Sequence, residues 1–237
     1  MSNSYFQFKQ FRVEQDRCAM KVSTDACVQA AWTPIRENVK HVLDIGAGTG
    51  LLSLMLAQRN QKIVIDAIEM DEPAAKQAKE NVANSGWNDR INIICADAKT
   101  YAYDKQYDLI ISNPPFFQNS LLGPNEERNK ARHTQSLGYQ ELLNIFEKNL
   151  AANGYASVLL PYIEQKIWEG LLMGNNWGMV QRLLVLPKIG ATANRVVSLC
   201  AKMPLQQLPD ETIAIRRDAA NYTNEFIDLL RPFYLHL

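Results

Sequence analysis

The stretch from Val42 to Ala57 constrains the fold most. Val42-Leu43-Asp44-Ile45 reads as a short apolar strand, Gly46-Ala47-Gly48-Thr49-Gly50 as a glycine-rich turn, and Leu51-Leu52-Ser53-Leu54-Met55-Leu56-Ala57 as a helix. Glycines in such a turn permit positive φ and close approach of the backbone to a ligand. The spacing is G-x-G-x-G with Asp44 two residues before the first glycine, which departs from the dinucleotide fingerprint G-x-G-x-x-G. From Val39 onward strands are expected near 40–45, 62–68, 91–95 and 107–112, and helices near 50–59 and 72–85. Strand alternating with helix implies parallel strands joined by right-handed crossovers.

The fourth of these strands, Tyr107-Asp108-Leu109-Ile110-Ile111-Ser112, runs into Asn113-Pro114-Pro115-Phe116. Two prolines in succession end the strand, because neither donates to a ladder and each fixes its own φ. Asn113 and Phe116 are therefore expected at the carboxyl end of a central strand, the edge where open α/β sheets bind ligands. The Asn113 amide oxygen and the Pro114 carbonyl are two acceptors for an exocyclic amine, and Phe116 is a face on which a base stacks. A plain proline-terminated loop with one buried Phe is the bland alternative.

Two further acidic residues end neighbouring strands. Glu69 closes Lys62–Ile68 about twenty positions after the glycine turn, where an acidic side chain reaches ribose hydroxyls. Its bland role is a helix-start charge before Pro73. Asp97 follows the strand Ile91–Cys95, and a plain loop aspartate is its alternative.

Ahead of this pattern, residues 1–38 read as a cover segment packed on a catalytic unit spanning 39–237. Phe6, Phe8, Phe11 and Val13 suit a short hairpin or edge segment. Ser23, Thr24 or Asp25 is placed to cap a helix over Ala26–Trp32. After the tetrad come a long polar loop, a helix over Tyr139–Leu150, a strand at Gly154–Leu160, a helix over 162–173, and strands near 177–187 and 194–203 joined by a hairpin. Thr212–Arg217 is compatible with one more strand, and Tyr222–Leu230 with a short helix capped by Asn221 or Thr223.

Lys+Arg and Asp+Glu both number 25, so the formal net charge is zero. A neutral chain does not coat nucleic acid everywhere, and any grip on a polyanion must come from a local basic face. The candidates are Lys9, Arg12, Arg17 and Lys21 in the N-terminal segment and Arg128, Lys130, Arg132 and His133 after the tetrad. Ordinary scattered surface charge is the competing reading. The four cysteines form no C-x-x-C pair, which argues for a reducing, cytoplasmic setting and against a zinc site. Neither a signal core nor a membrane span is expected.

Taken together, Asp44–Gly50 and Asn113–Phe116 resemble the motifs of class I S-adenosylmethionine-dependent methyltransferases. Phe11-Arg12-Val13 with Gln15, Met20–Ala26, Asn113–Phe117 and Arg132-His133 extend the likeness over nearly the whole length. On these residues the chain resembles the bacterial methyltransferases that modify N6 of adenosine 37 in a valine tRNA. The resemblance implies a Rossmann-like fold: a seven-stranded, mostly parallel twisted sheet with one antiparallel strand, helices on both faces and a short N-terminal extension. It implies S-adenosylmethionine as cofactor, no metal, tRNA as partner, and a monomer. It further implies cofactor contacts from Asp44, Gly46, Gly48, Gly50, Glu69 and Asp97, with Thr24 and Asp25 near the methionine end. Asn113, Pro114 and Phe116 would act in catalysis. Phe116, Phe117, Lys21, Arg128, Lys130 and Arg132 would meet the substrate. Methylation of a protein glutamine or a small amine by the same machinery is the second function class. A scaffold that has lost catalysis is the third, disfavoured by an intact Asn113 and glycine turn.

Overall fold

The computed structural model describes residues 3–114, 137–203 and 206–237. A short antiparallel hairpin comes first, β1 (Tyr5–Gln7) and β2 (Arg12–Glu14), followed by α1 (Thr24–Trp32). The alternating core runs β3 (His41–Ile45), α2 (Leu51–Arg59), β4 (Val64–Glu69), α3 (Glu72–Ala83), β5 (Ile91–Cys95) and β6 (Tyr107–Ser112). It continues with α4 (Tyr139–Asn149), β7 (Leu150–Pro161), a 3-10 turn at Tyr162–Glu164, α5 (Gln165–Gly174), β8 (Trp177–Lys188), β9 (Arg195–Lys202), β10 (Glu211–Arg216) and α6 (Asn224–Leu230).

The main sheet has the order β10-β8-β9-β7-β6-β3-β4-β5. Among the described residues of this sheet, only β9 runs against its neighbours, β7 and β8. The expected class and the single antiparallel strand are both present, but among the described residues the sheet holds eight strands rather than seven. The additional strand is the tail segment β10, which pairs in parallel along β8 from Glu211↔Leu183 to Arg216↔Lys188. Its pairing satisfies backbone groups that β8 would otherwise leave open, and it buries Ile213.

Side chains of the central strands alternate between two cores, as the two-residue period of a strand requires. Val42, Leu109 and Ile111 face the core shared with α1, α2, α3 and α6, while Leu43, Ile45 and Ile110 face the one shared with α4 and α5. Both faces are covered, which is why β3 and β6 read as near-continuous apolar runs.

Helix starts follow local chemistry. Ser23 caps α1 by accepting from the Ala26 N–H, Asp71 caps α3 ahead of Pro73, and Thr223 caps α6. Thr24 and Asp25, the other candidates, are instead wound into the first turn of α1. Among the described residues no helix is long and apolar enough to cross a membrane.

Candidate functional site

The carboxyl ends of β3, β4, β5 and β6 open onto one cavity of about 250 Å³. The glycine turn forms its floor. Gly46 has φ +74° and Gly48 φ +53°, and a Cβ added at either would meet nothing within 4 Å. That open volume above a left-handed backbone is a cradle in which a ligand approaches the main chain closely. The turn is held from beneath, because the Gly46 and Ala47 N–H groups both donate to the Ile68 carbonyl. It is held from the side as well: the Gly48 N–H donates to Glu69 Oε2 at 2.8 Å, and the Asp71 N–H to Glu69 Oε1 at 2.9 Å. Gly50, with φ +81°, starts α2 and packs on Ala78.

Asp44 lies under this turn, fully buried and outside the cavity lining. Ser53 Oγ donates to its Oδ2 at 2.7 Å, and its Oδ1 has no partner among the described residues. Burial pushes this carboxyl up to about 7, with hydrogen bonds from Ser53 opposing and Glu69 adding to the rise. A carboxyl whose folded pKa exceeds its unfolded value stabilises the fold fully below the unfolded pKa, near 4, and loses that contribution as pH rises through the folded value. Asp44→Asn, a neutral isostere, should therefore gain in melting temperature over the wild type as pH rises from about 5 to about 8. Thermal melts of the ligand-free pair across that range check this. A difference that stays constant with pH would mean an ordinary carboxyl.

Glu69 and Asp97 both line the cavity, between apolar patches from Met70 and Ala98. Asp97 also closes its own turn, accepting from the Lys99 N–H at 2.9 Å. At the far side stand Ser112, Asn113 and Pro114. Ser112 Oγ donates to the Ile45 carbonyl at 2.9 Å, tying the ends of β6 and β3 together. Gln29 of α1, wholly buried, donates through Nε2 to the Ser112 carbonyl (3.0 Å) and the Ser157 carbonyl (3.2 Å). A buried side chain thus sets the strand end that carries Asn113. The Asn113 Oδ1 is itself buried, with no hydrogen-bond partner among the described residues.

The N-terminal segment supplies a wall, through Cys18, Ala19 and Met20. It is held there by α3. Asn81 accepts from the Glu14 N–H (2.9 Å) and donates to the Glu14 carbonyl (3.0 Å) and to the Thr49 carbonyl (2.9 Å), and Gln77 accepts from the Arg17 N–H (3.1 Å). No local signal marks Cys18 or Ala19 as site residues. Met70, Lys99 and Leu137 carry no such signal either, since loop residues have no periodicity.

Six of the expected positions meet at the cavity: Gly46, Gly48, Glu69, Asp97, Asn113 and Pro114. Thr24 and Asp25 do not. With Ser23 as cap, Asp25 turns toward β9 and pairs with Arg195 Nε at 3.1 Å. Lys21 is also outside the lining. Three N-terminal cations have intramolecular partners, Arg12 with Glu14, Arg17 with Glu80, and Lys9 with the Arg231 carbonyl. Phe116, Phe117, Arg128, Lys130, Arg132 and His133 lie outside the described residues.

A family profile described as "Methyltransferase small domain" matches residues 23–125. A protein of Bacteroides fragilis named tRNA1(Val) (adenine(37)-N6)-methyltransferase is 40% identical over 240 residues, covering 100% of both chains. One of the same name from Tolumonas auensis is 42% identical over 238 residues, covering 100% of this chain and 99% of its own. Among solved structures, a predicted O-methyltransferase from Agrobacterium tumefaciens superposes with a TM-score of 0.69 at 17% identity, covering 88% of this chain and 96% of that one. The last likeness bears on the fold alone.

Proposed function

The chain belongs to the tRNA1(Val) (adenine(37)-N6)-methyltransferase family, and from that premise we propose that it transfers a methyl group from S-adenosylmethionine to the exocyclic N6 of adenosine 37 in a valine tRNA. The observation that carries the reading is the buried, unpartnered Asn113 Oδ1 at the cavity wall. A desolvated acceptor without a donor costs about 1–3 kcal/mol, a cost offset when a ligand N–H arrives.

The residues present fit the cofactor. Glu69 retains lone pairs toward the cavity for a pair of ribose hydroxyls, Asp97 is an acceptor for an adenine amine, and Met70 and Ala98 offer apolar contact to a base. The open space over Gly46 and Gly48 accommodates the amino-acid end. Bound S-adenosylmethionine supplies a methyl group already activated by the positive sulfur. What remains for the protein is to hold the acceptor at attack distance.

In this reading Asn113 Oδ1 and the Pro114 carbonyl accept the two N–H groups of the substrate adenine. Doing so draws the nitrogen toward a tetrahedral form and frees a lone pair otherwise delocalised into the ring. Both acceptors are neutral, so the surplus proton leaves to solvent water after attack, when the nitrogen carries positive charge. Phe116 would stack on the base. Residues 1–38 serve as a cover over the cofactor side of the catalytic unit 39–237, and we place the enzyme in the cytoplasm, where its cysteines stay reduced.

Cells lacking the protein should lose N6-methyladenosine at position 37 of valine tRNA, and purified protein with S-adenosylmethionine should restore it. Mass mapping of digested tRNA reads both. Methyl incorporation into a protein glutamine with tRNA unmodified would favour the second function class instead.

A further inference from the structure

Asn113 sits near the middle of a sheet edge that continues well beyond the cavity. Beyond β6, the same edge is built by the end of β7, the start of β9 and the ends of β8 and β10. Register puts these ends on one side of the sheet in two outward steps: Ser112 pairs with Val158, three residues before Pro161, and Pro161 and Val185 both pair with Arg195, three residues before Lys188, which pairs with Arg216. Two backbone hydrogen bonds stitch the rim, from the Tyr162 N–H to the Asn194 carbonyl (3.1 Å) and from the Ile189 N–H to the Arg216 carbonyl (2.9 Å). Four strand spacings separate β6 from β10, which amounts to roughly 19 Å.

Cations stand along this rim at intervals. Lys166 lies in the first turn of α5 beside the Tyr162 turn, Lys188 ends β8, Arg216 ends β10 and Arg217 follows it. Lys166, Lys188 and Arg217 are exposed, and Arg216 lies over the Tyr222 ring at 4.7 Å. Arg217 makes an exposed pair with Asp218 at 3.5 Å, the kind of surface pair that contributes little, and Asp218 also accepts from the Ala220 and Asn221 N–H groups; Asp25 is engaged by Arg195. Between the cations the rim exposes Tyr162 and Ile163, the latter 83% accessible. An exposed aromatic face among spaced cations suits a polyanion with stackable bases.

We propose that the rim from Tyr162 to Arg217 is a phosphate track on which the anticodon arm of the tRNA lies while its adenine enters the cavity beside Asn113. This rests on the function proposed above and assigns the RNA surface to residues other than the N-terminal cations. A rim at least roughly 19 Å long is several phosphate spacings, so several phosphates meet the row at once. An unpaired loop adenine is the base most cheaply extruded from such an arm.

The test compares wild type with a Lys166→Gln, Lys188→Gln, Arg217→Gln triple variant, all at exposed positions outside the cavity lining. Binding of transcribed valine tRNA is measured from about 50 to about 200 mM salt. The variant is expected to bind at least about tenfold more weakly at low salt, with the salt slope reduced by about two to three. S-adenosylmethionine affinity and melting temperature should stay unchanged. A single Tyr162→Ala change should weaken tRNA binding without altering the slope, as lost stacking does. If wild type binds and methylates tRNA but the triple variant keeps its affinity and slope, the track is wrong and the function stands. If wild type methylates protein and ignores tRNA, both fall.

Discussion

Asn113→Ala is expected to lower methyl transfer to tRNA by at least about a hundredfold, comparable to losing one preorganised polar contact at a reacting centre. Cofactor affinity and melting temperature should remain close to wild type. The reason lies in what Asn113 does not do in the folded chain. Its Oδ1 is buried and accepts from no described residue, so truncation breaks no hydrogen bond recorded for that atom. Removing an unsatisfied buried acceptor relieves a desolvation cost of about 1–3 kcal/mol, which offsets part of the packing lost. A residue with a structural role would behave oppositely, losing stability and rate together. Single-turnover transfer of labelled methyl, alongside a thermal melt, separates the two. Turnover near wild type in the variant would sink the assigned role.

Glu69→Ala should weaken S-adenosylmethionine binding by roughly 10- to 150-fold, the loss of about 1.5–3 kcal/mol for a charge-assisted contact. Two effects converge here. The carboxylate offers lone pairs to the ligand, and it also fixes the glycine turn through Gly48 and the start of α3 through Asp71. Glu69→Gln divides these effects. Its amide retains one acceptor but turns an N–H₂ group toward one of the two backbone donors, so its affinity should fall between wild type and Glu69→Ala. Calorimetry on folded variants decides; unchanged affinity in Glu69→Ala would remove the residue from the site.

Much of the molecule could be read from local signals. Short apolar runs alternating with helical segments marked β3 to β6, the paired prolines marked where β6 stops, and Gly46 and Gly48 marked a turn that only positive φ can make. Polarity and position alone brought Glu69, Asp97 and Asn113 to one edge, because parallel strands must all end on the same side. Cap selection was less legible. Ser23, Thr24 and Asp25 are equivalent by residue type, and choosing Ser23 turned Asp25 away from the cavity toward Arg195.

The alternating fold, the glycine turn and the strand end bearing Asn113 follow from backbone preferences within a few residues, and so are legible in the chain alone. Only the tertiary structure decided that Gln29 holds that strand end, that Cys18, Ala19 and Met20 wall the cavity, and that Lys188 and Arg216 stand on the same rim as Asn113. These relations join residues 60 to 128 positions apart, as in Arg17 to Gln77 and Gln29 to Ser157. Strand register and the packing of helices on the sheet set such pairings, and neither leaves a periodic trace in the chain.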